Sequence, residues 1–125
     1  YTALIIDDDP IQREVLSSWL RKRNVATILI AADGNEAKKQ IAAYGAGLDL
    51  ILSDLNMPNF DGIEFLMFLA DKQLAAALIF INGAPAPVAN AADKLASIYK
   101  VNYLGLLKKP VDFAALESIL AKLPG

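Results

Sequence analysis

The chain has 125 residues and a nearly balanced charge, with 12 Lys and Arg against 14 Asp and Glu, and it contains neither Cys nor His. This length predicts one domain, residues 1–125, with a core that needs neither a metal nor a disulfide. The missing Cys and His exclude thiol redox chemistry, imidazole catalysis and metal sites made of thiolate or imidazole. Balanced charge, the absence of an apolar run near ~18 residues and the absence of a signal peptide predict a soluble, cytoplasmic domain without direct nucleic-acid or membrane partners.

The first half of the chain alternates short apolar runs with amphipathic segments. Residues 3–6 predict a buried strand that ends at Asp7, and Asp9 before Pro10 predicts the N-cap of a helix. That helix is predicted to bury one stripe and to leave Arg13, Glu14, Ser17, Ser18 and Arg21 outside it. The stripe consists of Ile11, Val15, Leu16, Trp19 and Leu20. A second strand over 26–31 precedes a helix that starts near Asp33 and is striped by Ala37, Ile41 and Tyr44.

The second half repeats the pattern three times. A strand over 50–53 ends at Asp54, a loop covers 57–61 and a helix follows over 62–73. Met67 and Phe68 fall on the side of this helix expected to face solvent, where they mark a contact with a partner or neighbouring domain, or else fold back onto the body or stay singly exposed. A strand over 78–81 is followed by a loop over 82–87, because two prolines and a glycine interrupt regular structure. A helix over 88–100, a strand over 103–107 and a helix capped by Asp112 complete the chain.

Five successive strand–helix units predict a doubly wound α/β fold. The strands are continuous apolar runs, which indicates a parallel sheet covered by helices on both faces. We expect the strand order 2-1-3-4-5. In such folds ligands bind where the strands end, at the switch point in strand order.

The residues that follow the strands predict chemistry at that edge. Asp7, Asp8 and Asp9 follow the first strand, Asp54 the third and Lys109 the fifth. Clustered carboxylates repel one another unless a cation lies between them, and an all-oxygen ligand set favours Mg²⁺ over Zn²⁺. A carboxylate beside Mg²⁺ and a lysine is suited to phosphoryl transfer with Asp54 as the nucleophile. Taken singly, Asp9 is a helix cap, Asp54 a strand-end turn residue and Lys109 a solvated lysine, so the joint pattern carries the hypothesis.

Three stretches resemble the motifs of response regulator receiver domains, whose fold is flavodoxin-like, and the resemblance covers nearly the whole chain. They are residues 4–10 (LIIDDDP), 54–58 (DLNMP) with Asp61 and Gly62, and 108–110 (KKP). The resemblance implies that Asp54 accepts a phosphoryl group and that Lys109 pairs with a phosphoryl oxygen. It also implies that Asp8, Asp7, Asp54 and the backbone carbonyl of Asn56 bind Mg²⁺, with Asp7 acting directly or through water.

The resemblance further implies partners. The donor would be a phosphohistidine of a sensor histidine kinase or a phosphotransfer protein, and the domain would regulate an output domain or another partner. It would not be an enzyme with a separate substrate, although it takes part in its own phosphorylation and dephosphorylation. The NYLG sequence at 102–105 resembles receivers fused to cyclic-di-GMP phosphodiesterases, so we expect an output domain after Gly125. Self-association into a homodimer stays open.

Two positions depart from the family pattern. Asn82 stands where the family has Thr or Ser at the end of the fourth strand, and Leu106 stands where the family has Tyr or Phe on the fifth. The amide of Asn82 can still donate a hydrogen bond to a phosphoryl oxygen, but Leu106 has no ring to move. We also predict a cis peptide between Lys109 and Pro110, because only bonds before proline adopt cis at modest cost.

Three alternatives remain. The departures at Asn82 and Leu106 favour a pseudo-receiver that binds partners without phosphorylation. The spacing of Asp7 and Asp9 matches aspartyl-phosphate phosphatases of the haloacid dehalogenase type, although Pro10 starts a helix at once and leaves no room for a cap. A flavodoxin is disfavoured because the acidic loop after the first strand would repel the phosphate of a flavin.

Overall fold

The computed structural model describes residues 1–54, 62–81, 91, 94, 95, 97, 98, 100–107 and 111–121. The strands are β1 (Thr2–Ile6), β2 (Thr27–Ala31), β3 (Leu50–Asp54), β4 (Ala77–Ile81) and β5 (Tyr103–Leu107). The α-helices that lie within the described residues are α1 (Pro10–Arg21), α2 (Gly34–Tyr44), α3 (Gly62–Lys72) and α4 (Phe113–Leu120), and a 3-10 turn covers Gly45–Gly47. The helix predicted over 88–100 lies largely outside the described residues, and its five described residues between 91 and 98 are helical.

The five strands form one parallel sheet in the order β2-β1-β3-β4-β5, as predicted. Alternate residues of the three central strands, β1, β3 and β4, enter different cores, which explains why these strands are apolar over most of their length. Leu4, Ile51 and Leu78 pack with α2 and α3 on one face, while Ile5, Leu52 and Ile79 pack with α1 and α4 on the other. The prediction of helices on both faces is therefore confirmed.

Caps fix where three helices begin. Asp9 accepts a hydrogen bond from the Ile11 amide at 2.9 Å, directly before the proline that starts α1. Asp33 caps α2 and Asp112 caps α4 in the same way. These side chains satisfy amides that a helix leaves unpaired in its first turn. Among the described residues, no helix has the length and apolarity that crossing a membrane requires.

The buried face of α1 differs from the predicted stripe. Ile11 and Val15 are exposed at 75% and 42%, whereas Ser17 is completely buried. A helix turns by about 100° per residue, so Leu16, Ser17 and Leu20 share the face that meets the sheet, and the two exposed residues lie away from it. The predicted stripe was wrong at these positions because it followed hydrophobicity alone.

The predicted stripe of α2 was also partly wrong, and one of the two α3 residues expected to face solvent does not. Tyr44, predicted to be buried in α2, is 46% exposed. On α3, Met67 is exposed as expected, but Phe68 is half-buried and its ring lies 6.3 Å from that of Phe65. Lys38 and Lys72 cover the same ring, with ammonium groups 5.4 and 5.6 Å from its centroid. Phe68 therefore packs back against the body of the domain.

Strand β5 contains a bulge at Gly105. Its register against β4 shifts between Leu78 and Ile79, and Gly105 has a φ of +135°. Because of this extra residue, Tyr103 and Leu106 contact the core beside α3, while Leu104 and Leu107 contact the core beside α1. The bulge thus decides which β5 side chains face each core.

Candidate functional site

The register of the sheet brings the ends of its central strands into line. Ile6 of β1 lies opposite Ser53 of β3, so Asp7 and Asp54 each come one residue further along neighbouring strands. Asp54 lies opposite Ile81, and Ile81 lies opposite Leu107. The carboxyl ends of β1, β3, β4 and β5 therefore meet at one edge, where a doubly wound sheet binds its ligands.

Asp7 is held by contacts from three directions. Its amide donates to the Ala31 carbonyl of β2 at 3.1 Å, which continues the β1–β2 ladder by one residue. Its Oδ1 accepts a hydrogen bond from the Asp9 amide at 2.9 Å, and its carbonyl accepts one from Arg13 Nη1 at 2.8 Å. These bonds fix the turn between β1 and α1, where Asp7 is only 1% exposed.

Asp54 is the last residue of β3 and is 3% exposed. One carboxylate oxygen from each of Asp7, Asp8 and Asp54 lies within 4.8 Å of the others. Asp8 is the exposed member, and the other two are buried. The structure therefore brings together the three carboxylates that the sequence predicted to converge.

The donor set fits a magnesium ion. Two unit charges about 4 Å apart repel by about 4 kcal/mol at the dielectric typical of a protein surface, so this cluster favours a cation. Oxygens that share one Mg²⁺ lie at most about 4.2 Å apart, since each metal–oxygen bond is 2.0–2.1 Å long. Neighbouring ligands of an octahedral Mg²⁺ lie closer still, about 3 Å apart, so the Asp7, Asp8 and Asp54 oxygens, which lie within 4.8 Å of one another, would draw together when they bind the ion. All three donors are carboxylate oxygens, which suit Mg²⁺ rather than Zn²⁺.

Asp9 does not belong to this cluster. Its side chain points back to the Ile11 amide and caps α1. The phosphatase alternative needed Asp9 as a second catalytic carboxylate two residues after Asp7. Its engagement as the helix cap removes the basis of that alternative.

Several predicted positions lie outside the described residues. Asn56, Asn82, Lys109 and the Lys109–Pro110 peptide are among them, so their predicted roles and the predicted cis bond stay predictions. Leu106 is described. It is half-buried, lies opposite Phe80 and packs in the core beside α3. Tyr103 lies against the same Phe80, with ring centroids 5.5 Å apart.

One residue at the site was not identified from the sequence. Arg13 was predicted to lie outside the buried stripe of α1, yet its guanidinium contacts the carbonyl of Asp7. The corrected face of α1 explains this contact, because Arg13 lies one helical turn before Ser17 and on the same side. The sequence does contain a signal for this contact. Arg13 lies one helical turn before the buried residues of α1 and close in sequence to the acidic turn.

Comparison with known proteins agrees with this geometry. A sequence model of the response regulator receiver domain matches residues 3–121. The cyclic di-GMP phosphodiesterase RocR of Pseudomonas aeruginosa is 29% identical over 119 residues, which cover 95% of this chain and 30% of RocR. The positive alginate biosynthesis regulatory protein of the same organism is 30% identical over 122 residues, which cover 95% of this chain and 45% of the regulator. The chain thus spans less than half the length of these relatives.

A solved structure shows the same fold. The crystal structure of a response regulator from Colwellia psychrerythraea superposes with a TM-score of 0.76 at 26% identity. The match covers 96% of this chain and 93% of that one.

Proposed function

The chain belongs to the response regulator receiver domain family, and we propose that it is a signalling switch that accepts a phosphoryl group on Asp54. The observation that carries the proposal is the convergence of Asp7, Asp8 and Asp54 within 4.8 Å at the carboxyl edge of the sheet. Receiver domains bind Mg²⁺ at such a pocket of aspartates. Phosphorylation here would change the state of the domain and would not turn over a separate substrate.

In this proposal each residue has a distinct task. An oxygen of Asp54 attacks the phosphorus of the donor, and the donor's leaving group departs on the opposite side. Asp7 and Asp8, with Asp54 and the Asn56 carbonyl, would hold Mg²⁺, which when bound neutralises charge on the phosphoryl oxygens. Lys109 pairs with one of those oxygens, and the amide of Asn82 donates a hydrogen bond to another. Positioning and charge, rather than proton transfer, supply the rate.

The test is labelling by a small phosphodonor. We expect acetyl phosphate to add one phosphoryl group to the chain in Mg²⁺ and none in EDTA, as read by intact-protein mass spectrometry. Asp54→Asn should abolish labelling, and Lys109→Ala should weaken it. Asp9→Asn is the matched control, because asparagine also caps helices and Asp9 lies beside the cluster without joining it. Full labelling of Asp54→Asn would show that the acceptor is another residue.

We also propose that the donor in the cell is the phosphohistidine of a sensor histidine kinase or phosphotransfer protein, and that the domain works in the cytoplasm. The relatives RocR and the alginate regulator are both longer than this chain, which supports an output domain in the same polypeptide. Phosphorylation that drives two copies of the domain to pair is the alternative to control of a fused output domain. Sedimentation velocity of the phosphorylated and the unphosphorylated domain tests for this pairing, because only phosphorylation-driven pairing makes the phosphorylated form sediment as a dimer.

The second candidate function is a pseudo-receiver that binds partners without being phosphorylated. Leu106 favours it, because an aliphatic residue occupies the place of the family's mobile aromatic ring, and Asn82 replaces the family's hydroxyl residue. The same labelling experiment separates the two, since a pseudo-receiver would stay unlabelled in Mg²⁺.

A further inference from the structure

We infer that Arg13 is a positioning residue for the metal site, which sets the direction in which the chain leaves Asp7 and so the place of the Asp8 carboxylate. The inference rests on the proposed Mg²⁺ site. The observation behind it is the hydrogen bond of 2.8 Å from Arg13 Nη1 to the Asp7 carbonyl.

The carbonyl that Arg13 holds belongs to the peptide between Asp7 and Asp8. A peptide unit is planar, so fixing its oxygen fixes rotation about the bond from the Asp7 Cα to its carbonyl carbon. The amide and the side chain of Asp7 are already held by Ala31 and by the Asp9 amide. The bond to Arg13 adds the contact that orients the next residue. Asp8 is the exposed member of the cluster, so burial does little to hold it.

The helix provides a rigid base for this contact. The Arg13 amide donates to the Asp9 carbonyl at 3.0 Å in the first turn of α1, and Leu16 and Leu20 anchor the helix against the sheet. A partly buried, charge-assisted hydrogen bond is stronger than a bond between neutral groups. Arg13 thus holds the backbone of the acidic turn through a charged donor on a rigid helix.

Arg13 could instead act only by its charge, and the two roles predict opposite effects on Mg²⁺ affinity. A positive charge close to a cation site repels the cation, so removing it would tighten Mg²⁺ binding. Loss of a positioning contact would weaken binding, because Asp8 would no longer be held in place. Residues that orient metal ligands typically contribute 10–100-fold to metal affinity. The sign of the change therefore identifies the role.

The experiment measures the Kd for Mg²⁺ by titration calorimetry at constant ionic strength. Arg13→Met keeps the length and helix preference of the side chain but removes its donors, and we expect the Kd to rise about tenfold. Arg13→Lys keeps the charge but not the planar fork, and we expect a rise of about threefold. Arg21→Met is the matched control on the same helix, since within the described residues the Arg21 side chain makes only an exposed ion pair with Glu14 at 3.8 Å, and the Kd of this variant should equal that of the wild type. Urea unfolding in EDTA establishes that each variant is folded.

An unchanged or lower Kd in Arg13→Met, with the wild type binding Mg²⁺ normally, would overturn the inference and leave the proposed function intact. If Arg13→Met does not fold, Arg13→Lys decides in the same way: a raised Kd supports the inference, and an unchanged or lower Kd overturns it. A wild-type domain that does not bind Mg²⁺ would overturn the proposed function, and the role of Arg13 with it.

Discussion

Ser17 is a polar residue buried among apolar ones. Its side chain is fully buried in α1, and its hydroxyl makes no hydrogen bond within the part of the chain that the structure describes. A buried hydroxyl without a partner costs about 1–3 kcal/mol, and serine is also a poorer helix former than alanine. We therefore predict that Ser17→Ala raises the free energy of unfolding by about 1 kcal/mol, measured by urea denaturation.

Ser18 provides the control for that measurement. It lies next in the same helix, but its hydroxyl donates to Glu14 Oε1 at 3.3 Å in an exposed position. Ser18→Ala gains the same helix preference and loses a weak bond, so its stability should change by less than about 0.5 kcal/mol. Equal stabilisation by the two substitutions would attribute the effect to helix preference and not to the buried hydroxyl.

The same residues show how far a sequence pattern determines the site. Asp7, Asp8 and Asp54 could be predicted because they lie at the ends of apolar strands, and the ends of parallel strands share an edge. Ser17 and Arg13 were assigned to the wrong side of α1 because the prediction ranked residues by hydrophobicity. The way a helix packs on the sheet determines which of its faces is buried. Ser17 is buried because it lies on the same face as Leu16 and Leu20.

At the scale of elements, Gly105 controls strand β5. Its φ of +135° lies in a region that residues with a side chain rarely adopt. There is nevertheless space for a side chain, because a Cβ added to Gly105 would have no atom within 4 Å. Any cost of a substitution there therefore comes from the backbone and not from a clash. Such backbone strain costs about 1–3 kcal/mol, and we predict a loss of this size in the free energy of unfolding of Gly105→Ala.

Gly47 is the matched control for this substitution. An added Cβ there also meets nothing within 4 Å, but its φ lies outside the restricted region. Gly47→Ala should therefore leave stability nearly unchanged in the same urea series. If Gly105→Ala unfolds at the wild-type urea concentration, the bulge in β5 does not need glycine. Hydrogen exchange of the β5 amides would show whether the loss of stability is centred on that strand.

The elements themselves were largely predictable, and the details of their packing were not. The strands were predicted to within one residue at their ends, because buried parallel strands are continuous apolar runs. The bulge in β5 was not predicted, since a glycine inside a strand can mark a bulge or a close approach of the backbone. The contact of α4 with α1 was also not predicted. Phe113 of α4 stacks on Trp19 of α1 with ring centroids 5.4 Å apart, and Arg23, in the turn after α1, donates a hydrogen bond to Glu117 of α4 at 2.9 Å.

The extent to which a phosphoryl group on Asp54 would change the whole domain depends on how the phosphorylated site is coupled to distant elements. A ligand shifts a two-state equilibrium only by its difference in affinity for the two states. The resemblance to the family implies a coupling with two parts. A hydroxyl group on the fourth strand moves toward the phosphoryl group, and an aromatic ring on the fifth strand follows it. Here Asn82 and Leu106 occupy those positions, so neither part of that coupling is present.

The described structure gives a physical reason for a weak response at β5. Leu106 packs in the core beside α3 and lies opposite the fully buried Phe80. It has no hydroxyl that could exchange partners between an inward and an outward position. Tyr103, the aromatic residue that β5 does contain, lies against Phe80 at the start of the strand, away from the edge that carries Asp54.

We therefore predict that phosphorylation changes this domain mainly near Asp54. The measurement compares backbone amide shifts with and without beryllofluoride and Mg²⁺, which together mimic the phosphoryl group, and uses Asp54→Asn as the control for non-specific effects of the additives. We expect large shifts in the turn after β1 and at the end of β3, and small shifts over 88–100, β5 and α4. Shifts at Tyr103 and over 88–100 as large as those around Asp54 would contradict the prediction. If the changes are local, the double substitution Asn82→Thr with Leu106→Tyr should extend them to β5, because it restores the hydroxyl and the ring together.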